Sequence, residues 1–102
     1  MKFLVISNPS FPVPAELALD LVNAMEAWIG EHTRSGKIEA SWSYAGMNGG
    51  GGILNVESLD ELDAIMLGYP YGPFSDVEAI PLVDLGGALE RMKQGLQAMA
   101  GG

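Results

Sequence analysis

The sequence predicts an α+β domain with strand–helix–strand–strand–helix–strand order, the ferredoxin-like arrangement in which both helices cover one face of an antiparallel four-stranded sheet. Two observations carry this. Apolar residues recur at helical spacing in two long segments, and four shorter runs are either continuously apolar or alternate with period two. The order in which these six segments follow one another is that of a split βαβ unit. At 102 residues the chain fits one such domain, assigned to residues 1–84, and leaves a C-terminal segment, 85–102, for an extra helix.

Phe3 to Ile6 is an apolar, partly β-branched run bounded by Asn8-Pro9, which suits a buried strand, β1. Beyond the proline-rich turn at residues 9–14, Leu17, Leu21, Met25, Trp28 and Ile29 trace one face of a helix, α1, from Pro14 to Thr33. Pro14 suits the first turn, where a missing N–H costs nothing, and Ser35-Gly36 ends the helix. From Lys37 to Ala45 the residues Ile38, Ala40, Trp42 and Tyr44 alternate with Glu39, Ser41 and Ser43, as expected for a strand, β2. Gly46 to Gly52 supplies a hairpin connection, with bulges or a close backbone approach at the glycines, and Ile53 to Val56 resumes the sheet as β3. Ser58 followed by Glu61 is a capping-box pattern, and Leu59, Leu62, Ile65, Met66 and Tyr69 give the apolar face of α2, stopped by Gly68 and Pro70. Asp76 to Val83 is β4, with Pro81 at its end or on a sheet edge. Leu85, Leu89, Met92, Leu96 and Met99 then form a stripe on a third helix, α3. Gly86, Gly87 and Gly95 weaken it, so it requires packing on the body or on a neighbouring subunit; the last three residues should fray.

Thirteen acidic against five basic residues give a net charge of -8, which disfavours nucleic acid and anionic membrane surfaces as partners. The absence of cysteine removes disulfides and thiolate chemistry, and one histidine, His32, cannot build a histidine-rich metal site. The N-terminal apolar run is too short for a signal peptide or a membrane span, so a cytoplasmic protein is expected. Because β1 and β4 are apolar on both sides, the sheet face away from the helices needs a cover. A second copy packed sheet to sheet supplies one, which predicts a homodimer or higher homo-oligomer.

The segment from Gly36 to Leu82 resembles the muconolactone isomerase family, one group of the dimeric α+β barrels. The resemblance rests on Gly36, Trp42, Ala45-Gly46 at the hairpin, Val56, Ser58, Leu62, Pro70, Pro73, Asp76 and Glu78, most specifically on the run from Tyr69 to Glu78 with its two prolines. It implies a cofactor-free, metal-independent isomerase of aromatic-compound breakdown that moves a proton along an unsaturated lactone and assembles into rings of dimers. Relatives in the wider fold group include monooxygenases, dehydratases and proteins without known activity. Met47 departs from the pattern, standing where the family carries a histidine after the Ala-Gly pair. If that histidine moves protons, this chain cannot use the same mechanism.

A double-bond shift needs a base, an acid and a donor that stabilises the enolate. Glu78 and Asp76, two apart on a strand, face one side, where mutual repulsion can raise one pKa; they are the candidate catalytic carboxylates, and the competing reading is a solvated strand edge. Tyr44 is the third catalytic candidate. Trp42, Tyr69, Tyr71 and Phe74 form the wall of a pocket for a flat ligand or else pack in the core and interface. Met47 and Asn48 sit at the hairpin tip as candidate substrate-binding residues, Asn48 read as a turn residue with positive φ ahead of an oxyanion donor. His32 complements the end of α1 or serves as a base. The glycine run lacks phosphate-loop spacing. The function expected is isomerisation of a small unsaturated lactone or ring compound, with a non-catalytic ligand-binding or assembly protein and a cofactor-free monooxygenase as alternatives.

Overall fold

The computed structural model describes residues 1–101. Its elements are β1 (Lys2–Pro9), α1 (Ala18–Arg34), β2 (Ile38–Ser43), β3 (Gly50–Asn55), α2 (Leu59–Leu67), β4 (Ser75–Leu82) and α3 (Leu85–Gly101), with single 3-10 turns at Ala15–Leu17 and Gly72–Phe74. All strand pairs are antiparallel and the sheet order is β2-β3-β1-β4, so the ferredoxin-like expectation holds. Among the described residues no helix is long and apolar enough to cross a membrane.

Alternation along β1 sorts the sheet into two faces. Phe3, Val5 and Ser7 are buried on the helix side, and their cross-strand partners Leu54, Gly52 and Gly50 of β3 share that side. The core is small: Phe3, Val5, Ile38, Leu54, Val56 and Ile65, closed over by Trp28, Ile29, Leu62 and Met66. Leu4 and Ile6 point the other way, together with Ile53 of β3 and with Ile80 and Glu78 of β4. That open face carries a half-exposed apolar patch in the single chain, with Glu78 among its side chains.

Three sequence expectations change. Ile38, Ala40, Trp42 and Tyr44 do not share one face, because a bulge between Ile38 and Ala40 sets two steps of β2 against one step of β3. Ile38 therefore enters the core opposite Leu54, while Ala40 and Trp42 turn to the open face opposite Ile53 and Gly51. Gly50, Gly51 and Gly52 belong to β3 rather than to the hairpin loop, since all three are paired with both β1 and β2. Asn48 does not take a positive φ; Gly46 and Gly49 carry the left-handed positions of the hairpin, at 73° and 110°.

The cap of α2 follows the pattern with one displacement. The Ser58 hydroxyl accepts from the Glu61 N–H at 3.1 Å, but the Glu61 carboxylate reaches past the cap to accept from the Glu57 N–H at 3.2 Å. The same carboxylate meets Lys37 at 2.8 Å, and that contact holds Glu61 below the usual glutamate pKa and Lys37 above the usual lysine value. We expect Ser58→Ala to lower stability by about 1 kcal/mol, read as a reduced urea midpoint at unchanged slope.

β4 pairs only with β1, so Pro81 lies on an edge, where its missing N–H interrupts no ladder. Asp84 caps α3 by accepting from the Gly87 N–H at 3.2 Å. The helix runs through Gly101, and of the three terminal residues expected to fray Gly102 lies outside the described residues. Beyond Ala88 every described residue of α3 is exposed, and the molecule is drawn out to 65 Å along one axis against 27 and 23 Å across.

A cavity between the sheet and the first helix

α1 meets the sheet through its C-terminal half. Trp28 anchors it: the indole N–H donates to the Ile65 carbonyl of α2 at 3.3 Å, and the ring lies 5.1 Å from that of His32 and 5.2 Å from that of Tyr69. Toward its N-terminus the helix faces a strand whose inward positions are glycine, Gly50 and Gly52, with no side chain to fill the gap. The result is a cavity of about 1050 Å³ between α1, the loop at residues 9–13, the β2–β3 hairpin and the segment from Tyr69 to Ser75. The loop at residues 9–13 is held in place by the N–H groups of Ser10 and Phe11, both donating to the Phe74 carbonyl at 2.9 and 3.2 Å.

The walls include Val22, Met25, Trp28, Phe11 and Phe74, and the polar groups among them are neutral: Ser10, Ser41, Ser43, Asn48, Tyr69, Tyr71 and Ser75. Tyr69 is the best-held of these. Its hydroxyl lies 2.8 Å from the buried Ser7 hydroxyl, and its ring packs against Trp28 and, at 6.2 Å, against Tyr71. Burial pushes the phenol above its ordinary pKa, with the Ser7 hydrogen bond pulling the other way.

Of the residues expected at the site, Asn48, Tyr69, Tyr71 and Phe74 line the cavity, while Trp42 borders it from β2 with its indole turned to the open face. Glu78 and Asp76 do not. Their register opposite Ile6 and Asn8 puts both carboxylates on the open sheet face, separated from the cavity by the sheet itself. Tyr44 is half-buried at the hairpin beside Gly49, and Met47 is exposed at its tip; neither borders the cavity. His32 leans edge-on against Trp28 instead of standing free at the helix end. Ser7 and Trp28, together with lining residues such as Phe11, Ser41 and Ser43, were not assigned to a site by sequence reasoning. Ser7 had one signal: a hydroxyl at the end of a strand that is otherwise apolar needs a partner when buried.

These features can be set against known proteins. The family model of muconolactone Δ-isomerase matches residues 1–85. The chain belongs to that family. Its match ends where α3 begins, so the cavity and the whole sheet lie inside it and the projecting helix outside. The muconolactone Δ-isomerase of Rhodococcus opacus is 36% identical over 61 residues, which are 60% of this chain and 66% of that protein. The chain thus matches just under two thirds of the length of that curated relative. Among solved structures, muconolactone isomerase superposes with a TM-score of 0.75 at 23% identity, over 82% of this chain and 90% of the other. A 5-chloro-2-hydroxyhydroquinone dehydrochlorinase of Burkholderia phenoliruptrix, in complex with 2,5-dihydroxybenzoquinone, gives 0.59 at 22% identity, over 76% and 91%. At that level of identity both structures speak for the fold. The family is settled by the residue-level match, while the dehydrochlorinase shows that one fold carries more than one ring chemistry.

Proposed function

We propose that the cavity under α1 binds a small, flat, unsaturated ring compound and that the protein isomerises it by proton transfer, without a cofactor. The observation that carries this reading is the Tyr69–Ser7 hydroxyl pair set against an apolar, aromatic-walled cavity of about 1050 Å³ in a chain of the muconolactone isomerase family. A phenol kept protonated by burial is suited to donating a hydrogen bond to a carbonyl oxygen on which enolate charge develops. In this reading Tyr69 is that donor, Ser7 fixes its direction, and Tyr71 and Phe74 press on the ring. Glu78 and Asp76 belong to the sheet face that meets a second copy, and Tyr44 to the hairpin.

Tyr69→Phe is expected to lower kcat/KM for a lactone substrate by about 10²- to 10³-fold, the effect of deleting one preorganised donor. Unchanged kinetics in this variant would remove Tyr69 from the reaction. The pH profile carries the same assignment. With its pKa raised in the fold, Tyr69 stays protonated through the ordinary tyrosine range, so donor-dependent activity persists past pH 10 and falls only as the folded phenol ionises. Stability follows the same sign: the native state holds the proton longer than the unfolded chain, and the associated stabilisation is complete below the unfolded pKa and lost as pH rises through the folded one.

A second reading has one observation in its favour: among the described residues that line the cavity there is no carboxylate, imidazole or amine to act as the base. A ring-binding protein without turnover fits that lining. Solvent deuterium exchange into a small-lactone panel separates the two, since binding alone raises the melting temperature with ligand concentration but exchanges no C–H proton.

Both readings use the same assembly. We place a second copy on the open sheet face, giving a dimeric α+β barrel, and assign α3 (Leu85–Gly101) to packing on a neighbouring subunit, where its exposed stripe finds cover. A site in the cytoplasm and a place in aromatic-compound breakdown go with this proposal.

A further inference from the structure

We propose that the cavity selects an uncharged ring compound and discriminates against one that carries a carboxylate. The inference rests on the reading that this cavity is the binding site, and it names the substrate class. Its basis is the charge census of the lining. Around about 1050 Å³ of space, the described residues that face the cavity include no lysine, arginine or histidine. The polar groups available are hydroxyls and one amide, those of Ser10, Ser41, Ser43, Ser75, Tyr69, Tyr71 and Asn48, with no charged side chain among them. These can bond a carbonyl, a hydroxyl or an ester oxygen, but none supplies a counter-charge.

The surroundings push the same way. The positive end of α1 opens toward the cavity at Ala18, and Glu16 and Asp20 already occupy that end with negative charge. Arg34 lies at the opposite end of the helix, and Lys37 is engaged by Glu61 at 2.8 Å. Lys2 is held by Glu39 at 3.2 Å, and its register opposite Asn55 and Leu82 puts it on the open face. Over the whole chain the charge is -8, so an approaching anion meets a repulsive field before it meets the site. Taking a carboxylate out of water without a cation to pair it is among the costliest steps in recognition, whereas a neutral ring gains from every apolar wall it touches.

Muconolactone, whose ring bears one carboxymethyl arm, and its methyl ester form a matched pair that differs in this charge alone. Titration calorimetry of the purified full chain at pH 7 is expected to give at least tenfold tighter binding for the ester. Ser41→Lys, which places a cation on the cavity wall at an exposed edge-strand position, is expected to shift the ratio of the two affinities at least tenfold toward the acid. Equal or tighter binding of the acid by the native protein overturns the inference, as does binding of neither compound. Turnover is scored separately. Ester bound preferentially without isomerisation keeps the selectivity and removes the isomerase, whereas acid bound more tightly and isomerised keeps the isomerase and removes the selectivity.

Discussion

Gly50→Ala and Gly51→Ala are each expected to lower stability by about 1–3 kcal/mol, the range for forcing extra methyl groups into closed packing. In a domain of this size that is a fall in melting temperature of roughly 4 °C or more at fixed protein concentration. The reason is the obstacle each new Cβ meets. At Gly50 it is the carbonyl oxygen of Trp42 on one neighbouring strand, and at Gly51 the carbonyl oxygen of Val5 on the other, 2.6 Å from an ideally placed Cβ. Both obstacles are backbone, so no rotamer change relieves them, and the sheet itself must shift. At Gly51 the Trp42 indole stands only 3.1 Å from the same position, so the shift is transmitted to the residue that covers β3 on the open face. Gly72→Ala is the matched control. An added Cβ there has nothing within 4 Å and the backbone is not in the left-handed region, so that substitution is expected to be neutral or slightly stabilising. Equal losses at all three positions would show that the glycines of β3 are not required by close strand approach.

The same glycines mark where sequence reasoning reached its limit. A run of glycine between two strands reads locally as a turn, because its backbone freedom is what a turn uses. Only the long-range pairing of Gly50–Gly52 with β1 on one side and β2 on the other makes it a strand, and that pairing is not a local property. The bulge between Ile38 and Ala40 is hidden for the same reason: an apolar alternation is unbroken in sequence while the register slips beneath it. Features fixed locally were legible. Ser58 caps α2, Pro81 sits on an edge, and Trp28 and Ile29 face the sheet.

At the site the division is similar. The aromatic residues at 69, 71 and 74 line the cavity, where their type alone left pocket wall and core packing as alternatives. That Glu78 and Asp76 share a side is a property of any strand; which side follows from Glu78 standing opposite Ile6. Ser7 gained its importance from Tyr69, 62 positions along the chain, and no local pattern joins the two.

Ile80→Lys is expected to convert the assembly to monomers at micromolar concentration while leaving the single chain folded. Ile80 stands opposite Leu4 on the open face, beside the row formed by Leu4 and Ile53, and is 40% exposed in the single chain, so a lysine there disturbs no core contact. In the proposed sheet-to-sheet dimer it is buried instead, and its replacement loses an apolar anchor and strands an ammonium group in an apolar interface. Two-fold symmetry applies the change twice, so a loss of about 2 kcal/mol per site becomes about 4 kcal/mol per dimer, roughly a thousandfold in dissociation constant. Sedimentation equilibrium measures that directly, and circular dichroism of the variant reports whether the monomer keeps its fold. Retention of the native mass would locate the contact elsewhere, with the exposed stripe of Leu89, Met92 and Leu96 on α3 as the surface then left to hold subunits together. Truncation before Leu85 separates that case from the first. If the sheet face carries the dimer, the shortened chain still pairs and only larger assemblies are lost; if α3 carries it, truncation alone yields monomers.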